Sequence, residues 1–178
     1  MIYVIRHGQT NFNKEGRLQG RNGLPLNEEG INQARNLEVA LKQIHFDYIF
    51  SSPQKRAIQT VEIATGKPVI IDSRLDVYDL GEADGLLKSE VKMAGVLPNP
   101  AVYKGVERKE QYMERVFAFM NELQNRRHSL NGKNILISGH RCTTGCIGAF
   151  FNGVPADQNI LKLSSHNGEY RQYEFNEN

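Results

Sequence analysis

Ile2-Tyr3-Val4-Ile5, running straight into Arg6-His7-Gly8, is the stretch that decides the fold. The first four residues are apolar with no polar alternation. Such a run reads as a strand covered on both faces, which implies a parallel sheet between helices. In those sheets ligands sit beyond the carboxyl ends of the strands. Arg6 and His7 are therefore delivered to a ligand-binding edge, and Gly8 lets the backbone turn there or approach a neighbour closely. The pattern recurs at Tyr48-Ile49-Phe50 before Ser51-Ser52-Pro53-Gln54-Lys55-Arg56, and at Ile135-Leu136-Ile137 before Ser138-Gly139-His140-Arg141. Ser52 is placed as a helix N-cap with Pro53 at the first helical position. If the three strands are parallel neighbours, Arg6, His7, Arg56, His140 and Arg141 share one edge. Helix N-termini there add donors and partial positive charge. That edge is a cationic cup with imidazoles in it, fitted to a phosphoryl group.

The chain has 178 residues and a formal net charge of +2, with acidic and basic residues interleaved. This length suits one domain, 1–178, with a proper core. Nothing in the charge pattern points to nucleic acid or a membrane surface. No run approaches spanning length and no signal pattern precedes the first strand, so a cytoplasmic protein is expected. Cys142 and Cys146 are one helical turn apart, badly placed for a disulfide, and read as small buried residues.

Alternating strands and helices indicate an α/β fold, a three-layer α/β/α sandwich with a mostly parallel sheet. A polar loop at 8–26 is long enough to imply a task. Asn27 caps a helix to about Ile44, with Ile31, Ala34, Leu37 and Leu41 at helical spacing. A helix over 56–64 ends near Gly66-Lys67-Pro68, and 69–71 is a short strand. Residues 86–106 read as a small cap insertion. A long amphipathic helix follows from 107 to 128, then a strand at 134–138 and a helix at 142–151. A hairpin-like piece at about 160–175 closes the sheet.

RHGQTNFN at 6–13, SSPQKRAIQT at 51–60 and SGH at 138–140 together resemble the histidine phosphatase superfamily, which has a phosphoglycerate-mutase-like fold. GRLQG at 16–20, LPLNEEGINQA at 24–34 and DLGEADG at 79–85 match as well. The resemblance implies phosphomonoester hydrolysis of a small phosphorylated metabolite, with His7 as the nucleophile that becomes phosphohistidine. It assigns the phosphoryl oxygens to Arg6, Arg56 and His140. Asn13, Gln19 and Gly20 are implied to bind substrate, and no metal or cofactor is implied. Arginine forks suit phosphoryl oxygens. A neutral imidazole attacks only if its other nitrogen keeps the proton, as by donating to a backbone carbonyl. Phosphoglycerate-type mutase activity is disfavoured, because the segment between DLGEADG and the late helix is short. Sugar phosphates, nucleotides, a ribazole-type phosphate and phosphoprotein stay open as substrates.

One departure bears on the chemistry. Members of the family usually carry a proton-donating glutamate two residues after the leucine of an LxExxxG segment. Aligned on Leu75 and Gly81, that position holds Val77. In extended backbone Asp79 points the same way as Val77, so Asp79 is the expected acid, with Glu82 next and Asp76 and Asp84 nearby. The alternative is a phospho-ligand-binding or regulatory module with weak turnover. Arg141 stands where glycine often follows the second histidine, and three readings stay open for it: a cation for a second anionic group on the substrate, a solvent-facing side chain, or a partner for a loop carboxylate. Lys88, Lys92, Tyr103 and Lys104 are cap residues within possible reach of a substrate. His45 and His128 read as surface residues at helix ends, and His166 as a turn residue.

Overall fold

The computed structural model describes residues 1–175. Its strands are β1 (Ile2–Arg6), β2 (Tyr48–Ser51), β3 (Ile70–Ile71), β4 (Met93–Ala94), β5 (Leu97–Pro98), β6 (Ile135–Gly139) and β7 (Tyr170–Tyr173). Its helices are α1 (Asn11–Lys14), α2 (Glu28–Leu41), α3 (Lys55–Thr65), α4 (Lys109–Asn125) and α5 (Arg141–Asn152). The main sheet runs β3-β2-β6-β1-β7. Every pairing in it is parallel except β1 with β7.

Successive side chains of β1 part to opposite faces, as a strand requires. Tyr3 and Ile5, with Ile49 and Leu136, pack against Leu37 and Leu41 of α2 and Val61 of α3. Ile2 and Val4, with Ile135 and Ile137, pack against Val116, Phe119 and Met120 of α4 and Ile147 of α5. The sheet is thus buried on both faces, and the fold is the α/β/α sandwich that the unalternated strands imply. The edge strands are the exceptions, with Ile70 and Ile71 of β3 about half exposed and Arg171 and Gln172 of β7 exposed.

Local signals explain the boundaries. Asn27 caps α2 by accepting from the Gly30 N–H at 2.9 Å, and Glu28 and Glu29 suit the positive end of the helix. α3 stops at Gly66, which takes a left-handed φ of 63°. Three expectations need correction. The N-cap of α3 is Gln54, not Ser52, since the Ser52 hydroxyl is held by a histidine described below. The long helix begins at Lys109, because Glu107 is drawn into an ion pair with Arg115 at 2.8 Å. No hairpin forms at 160–175: a single 3-10 turn at Ile160–Leu163 precedes β7, which pairs with β1 alone. The 8–26 loop is more ordered than its composition suggests. Thr10 and Asn13 form a capping box on α1, and Thr10 bridges Leu26.

Segment 86–106 contains the small antiparallel β4–β5 ladder and is tied down at both ends by Arg17–Leu87 and Leu80–Val106 bridges. Among the described residues no helix is long and apolar enough to cross a membrane.

The start of α2 is pressed against the turn after β1. A Cβ on Gly8 would strike the Gly30 carbonyl oxygen, and a Cβ on Gly30 would strike the Gln9 carbonyl oxygen. Neither partner is a flexible side chain. Gly30→Ala is therefore expected to destabilise the protein by about 1–3 kcal/mol, typical of overpacking. Thermal melting would read this as a fall of about 2–4 °C per kcal/mol. An unchanged melting temperature would mean that the two backbones separate freely.

Candidate active site

β2, β6 and β1 are adjacent and parallel, so their carboxyl ends align. His7 follows β1, Ser52 follows β2 and His140 follows β6. The amides of His7 and Ser52 donate to the carbonyls of Gly139 and Ser138, which clips the three turns together at 3.0 Å each. The rings of His7 and His140 meet edge to face with centroids 5.2 Å apart.

His7 is 3 % exposed. Its Nδ1 lies 2.7 Å from the Gly8 carbonyl oxygen. A carbonyl only accepts, so Nδ1 carries the proton and Nε2 keeps its lone pair. Asn167 donates to the His7 carbonyl at 2.9 Å, and the Gly8 N–H donates to Thr60 Oγ1 at 3.0 Å. Burial holds the His7 pKa well below its ordinary value. The cations of Arg56 and Arg6 push it the same way, against the Gly8 hydrogen bond. The ring is neutral at pH 7.

His140 is 1 % exposed, with Nε2 2.8 Å from Ser52 Oγ. Ser52 Oγ also accepts from the Gln54 N–H at 3.3 Å. Where the serine hydroxyl donates to Nε2, the ring proton is on Nδ1. That Nδ1 is buried and has no partner among the described residues. Burial, followed by Arg56, His7 and Arg6, depresses the His140 pKa well below the usual range.

Two arginines share this environment. Arg6 donates from Nη1 to the Ser165 carbonyl at 3.1 Å. Arg56, on the first turn of α3 and 1 % exposed, donates from Nη2 to the Gly20 carbonyl at 3.0 Å. Loss of hydration lowers each to a pKa of about 10, so both are cations at pH 7. The Nε–H of each is buried without an acceptor among the described residues. Gln19 adds a further unpaired donor. Its Oε1 accepts from Thr10 Oγ1 at 2.8 Å while its Nε2 is buried and unpaired. Buried donors of this kind are costly unless something accepts from them.

A cavity of about 330 Å³ opens over these groups, lined by Arg6, His7, Asn13, Gln19, His140 and Arg141 among others. Arg56 does not line it, although its charge acts on both imidazoles. Asn13 orders the wall by accepting from the Thr10 N–H at 3.1 Å. Gly20 contributes only backbone: its N–H donates to Asp84 at 2.7 Å. A wider depression of about 910 Å³ lies where the strands begin, around Met1, Lys133 and Asn134. It holds only His128 among the five histidines, so the chemistry concentrates at the smaller cavity.

The expected acids are elsewhere. Asp79 does not line the cavity. Its Oδ1 accepts from the Gly81 N–H at 3.0 Å and its Oδ2 pairs with Arg21 at 3.2 Å. Glu82 accepts from the Lys104 N–H, Asp84 from the amides of Gly20 and Asn22, and Asp76 from Gln54 and the Val77 N–H. Val77 itself is on the cavity wall, and Arg115 fixes its segment by donating to the carbonyls of Arg74, Asp76 and Val77. Among the described residues no Asp or Glu lines the cavity. Of the cap residues, Lys88 reaches it and Lys92, Tyr103 and Lys104 do not. Arg17, Tyr78, Lys109 and Cys142 also line it. The sequence reading overlooked Ser52 as the partner of His140, and also Thr60, Ser165 and Asn167. All four make contacts distant in sequence; Ser52 and Thr60 lie in the 51–60 motif, but nothing local names their partners.

A family model described as histidine phosphatase superfamily (branch 1) matches residues 2–178. The chain is 31 % identical over 163 residues to a probable phosphoglycerate mutase GpmB of Shigella dysenteriae, covering 87 % of this chain and 76 % of that one. The alpha-ribazole phosphatase structure from Shigella flexneri superposes with a TM-score of 0.77 at 25 % identity, over 95 % of this chain and 87 % of that chain. A phosphoglycerate mutase structure from Thermus thermophilus gives 0.72 at 25 % identity, over 95 % and 90 %. The match runs from the first strand, whose end delivers the buried imidazole, to the end of the chain, and it establishes that this protein belongs to the histidine phosphatase superfamily.

Proposed function

We propose that the protein is a phosphatase, transferring a phosphoryl group from a small phosphorylated compound to His7 and then to water without a metal. One observation carries this reading. A neutral imidazole, its Nδ1 held by the Gly8 carbonyl, lines one cavity with Arg6, Gln19 and His140, each of which keeps a buried nitrogen with no partner among the described residues: Arg6 Nε, Gln19 Nε2 and His140 Nδ1. Phosphoryl transfer needs positioning and neutralised oxygens more than elaborate bond chemistry. A dianionic phosphoryl group would satisfy those donors together.

In the first step His7 Nε2 attacks phosphorus and the bond to the leaving oxygen breaks, its electron pair staying on that oxygen. The imidazolium that results keeps its Nδ1–H on the Gly8 carbonyl. In the second step water attacks phosphorus, the N–P bond returns its pair to Nε2, and the water proton ends on a phosphate oxygen. His140 is the donor that strengthens as charge builds on the phosphoryl oxygens. Asn13 and Gln19 shape the wall, the Gly20 carbonyl holds Arg56 behind it, and residues 86–106 act as the cap of a single domain, 1–178.

The absence of a carboxylate from the cavity favours a second reading, a phospho-ligand-binding module with little turnover. Two measurements separate them. Inorganic phosphate should raise the melting temperature of the wild type and do so far less for Arg56→Met. Hydrolysis of 4-nitrophenyl phosphate should also occur, since this leaving group needs little acid help. Phosphate binding without hydrolysis would select the binding module. Neither effect would remove both readings.

Stability should report the buried rings as well. The His7 and His140 pKa values are lowered in the folded state. The unfolded chain therefore takes up protons below about pH 6.5 that the folded chain refuses. Stability should be fully present above that pH and fall as pH drops, by up to about 1.4 kcal/mol per pH unit for each ring. Denaturant unfolding between pH 7 and 5 measures this, and His140→Gln should flatten the slope. A wild-type stability indifferent to pH in this range would contradict neutral buried imidazoles.

A further inference from the structure

The cavity wall carries cations and, among the described residues, no carboxylate. Val77 is on that wall, where an apolar side chain can neither donate nor accept a proton. Asp76, Asp79, Glu82 and Asp84 are all occupied by amides, by the Gln54 side chain or by Arg21, and none reaches the cavity. Arg6, Lys88 and Arg141 all line this one cavity, and loss of hydration, followed by the charges of Arg141 and Arg6, lowers the Lys88 pKa. Arg141 makes one long contact, 3.4 Å from Nε to Ser164 Oγ. Among the described residues neither Lys88 nor Arg141 has an ion-pair partner. By contrast, Arg17 on the same wall is neutralised by Glu15 at 2.7 Å.

Three unneutralised like charges drawn together are unfavourable by themselves. They become favourable when an anion lies among them. On the phosphatase reading the phosphoryl group is met by Arg6, Gln19 and the two imidazoles of the cavity wall, so Lys88 and Arg141 are surplus to it.

Resting on the phosphatase reading above, we propose that the preferred substrate is a phosphoanhydride. Its leaving group is itself a phosphate that departs as an anion, without a proton from the enzyme, onto Lys88 and Arg141. The balance is complete. His7 Nε2 forms the bond to the terminal phosphorus as the P–O–P bridge breaks. The bridging oxygen keeps the electron pair as part of the departing phosphate, and water then releases the second phosphate with its proton on a phosphate oxygen. An alkyl phosphate would instead have to expel a strongly basic alkoxide with no acid beside it. A cavity of about 330 Å³ admits a substrate of small-molecule size.

The test compares kcat/KM for inorganic pyrophosphate, acetyl phosphate, 4-nitrophenyl phosphate and glycerol phosphate without added metal. Pyrophosphate should exceed glycerol phosphate by about 100-fold or more, the scale of general-acid assistance that glycerol phosphate lacks. In Lys88→Ala/Arg141→Ala the ratio of pyrophosphate to 4-nitrophenyl phosphate should fall by about tenfold or more, as expected for lost charge-assisted contacts. Glycerol phosphate matching pyrophosphate would overturn the proposal, and so would an unchanged ratio in the double variant. Acetyl phosphate outrunning pyrophosphate, with no shift in the double variant, would overturn the charged leaving group and leave only its acidity. In each of these cases His7-dependent hydrolysis of 4-nitrophenyl phosphate would leave the phosphatase reading standing. Its absence would remove both.

Discussion

His7→Ala should abolish hydrolysis of 4-nitrophenyl phosphate, lowering kcat by about 10⁴-fold or more, as loss of a nucleophile does in other covalent mechanisms. The effect is large because no other group in the cavity can replace it. The His140 ring has one nitrogen engaged by Ser52, and its other nitrogen, Nδ1, is buried. Cys142 lines the cavity, but its buried position at the start of α5 is on the far side of His140 in sequence and carries no base of its own. The alanine variant should still bind inorganic phosphate, because Arg6, Arg56 and Gln19 keep their donors. Retained phosphate binding with lost turnover separates a missing nucleophile from a collapsed site. Substantial residual turnover would mean that water attacks the substrate directly.

Val77→Glu should raise kcat/KM for glycerol phosphate by about 10²–10⁴-fold, the usual span of general acid–base catalysis. The position faces the cavity, and its backbone is pinned by three Arg115 contacts at 2.8–2.9 Å. The loop should hold a new side chain in place rather than rearrange around it. Burial would push the carboxyl pKa up and the cavity cations would pull it down, leaving an acid that can give and recover a proton near neutral pH. 4-Nitrophenyl phosphate should gain far less, because its leaving group needs no proton. Equal gains on both substrates, or none on either, would show that proton supply does not limit this enzyme. A modest loss of thermal stability should accompany the substitution, since a partly buried carboxyl replaces an apolar contact.

The parts of this site that the sequence made legible are the ones written locally. Ile2–Ile5 lacks alternation because both faces of β1 are covered, so the strand, its parallel setting and the delivery of Arg6 and His7 followed together. Asn27 and Gly66 mark the ends of their helices by their own backbone chemistry. The rest depends on long-range partners. Ser52 has the look of an N-cap, yet His140, 88 residues away, takes its hydroxyl. Asp79 is on the expected side in an idealised extended segment, but 3-10 turns at Ser73–Leu75 and Gly81–Ala83 bracket that segment, and Arg21 and the Gly81 amide claim the carboxylate. Lys88 belongs to a cap whose composition resembles any solvated loop. Only its placement beside Arg6 and Arg141 distinguishes it from Lys92 and Lys104.

Everything in the mechanism passes through a covalent bond between phosphorus and one imidazole nitrogen. Rapid mixing with a ³²P-labelled substrate, quenching in base and mapping the labelled peptide tests that bond directly. The account predicts an acid-labile, base-stable label on the peptide containing His7, formed within one turnover and absent from His7→Ala. Steady hydrolysis with no label on that peptide at any quench time, or with the label on His140 instead, would contradict it.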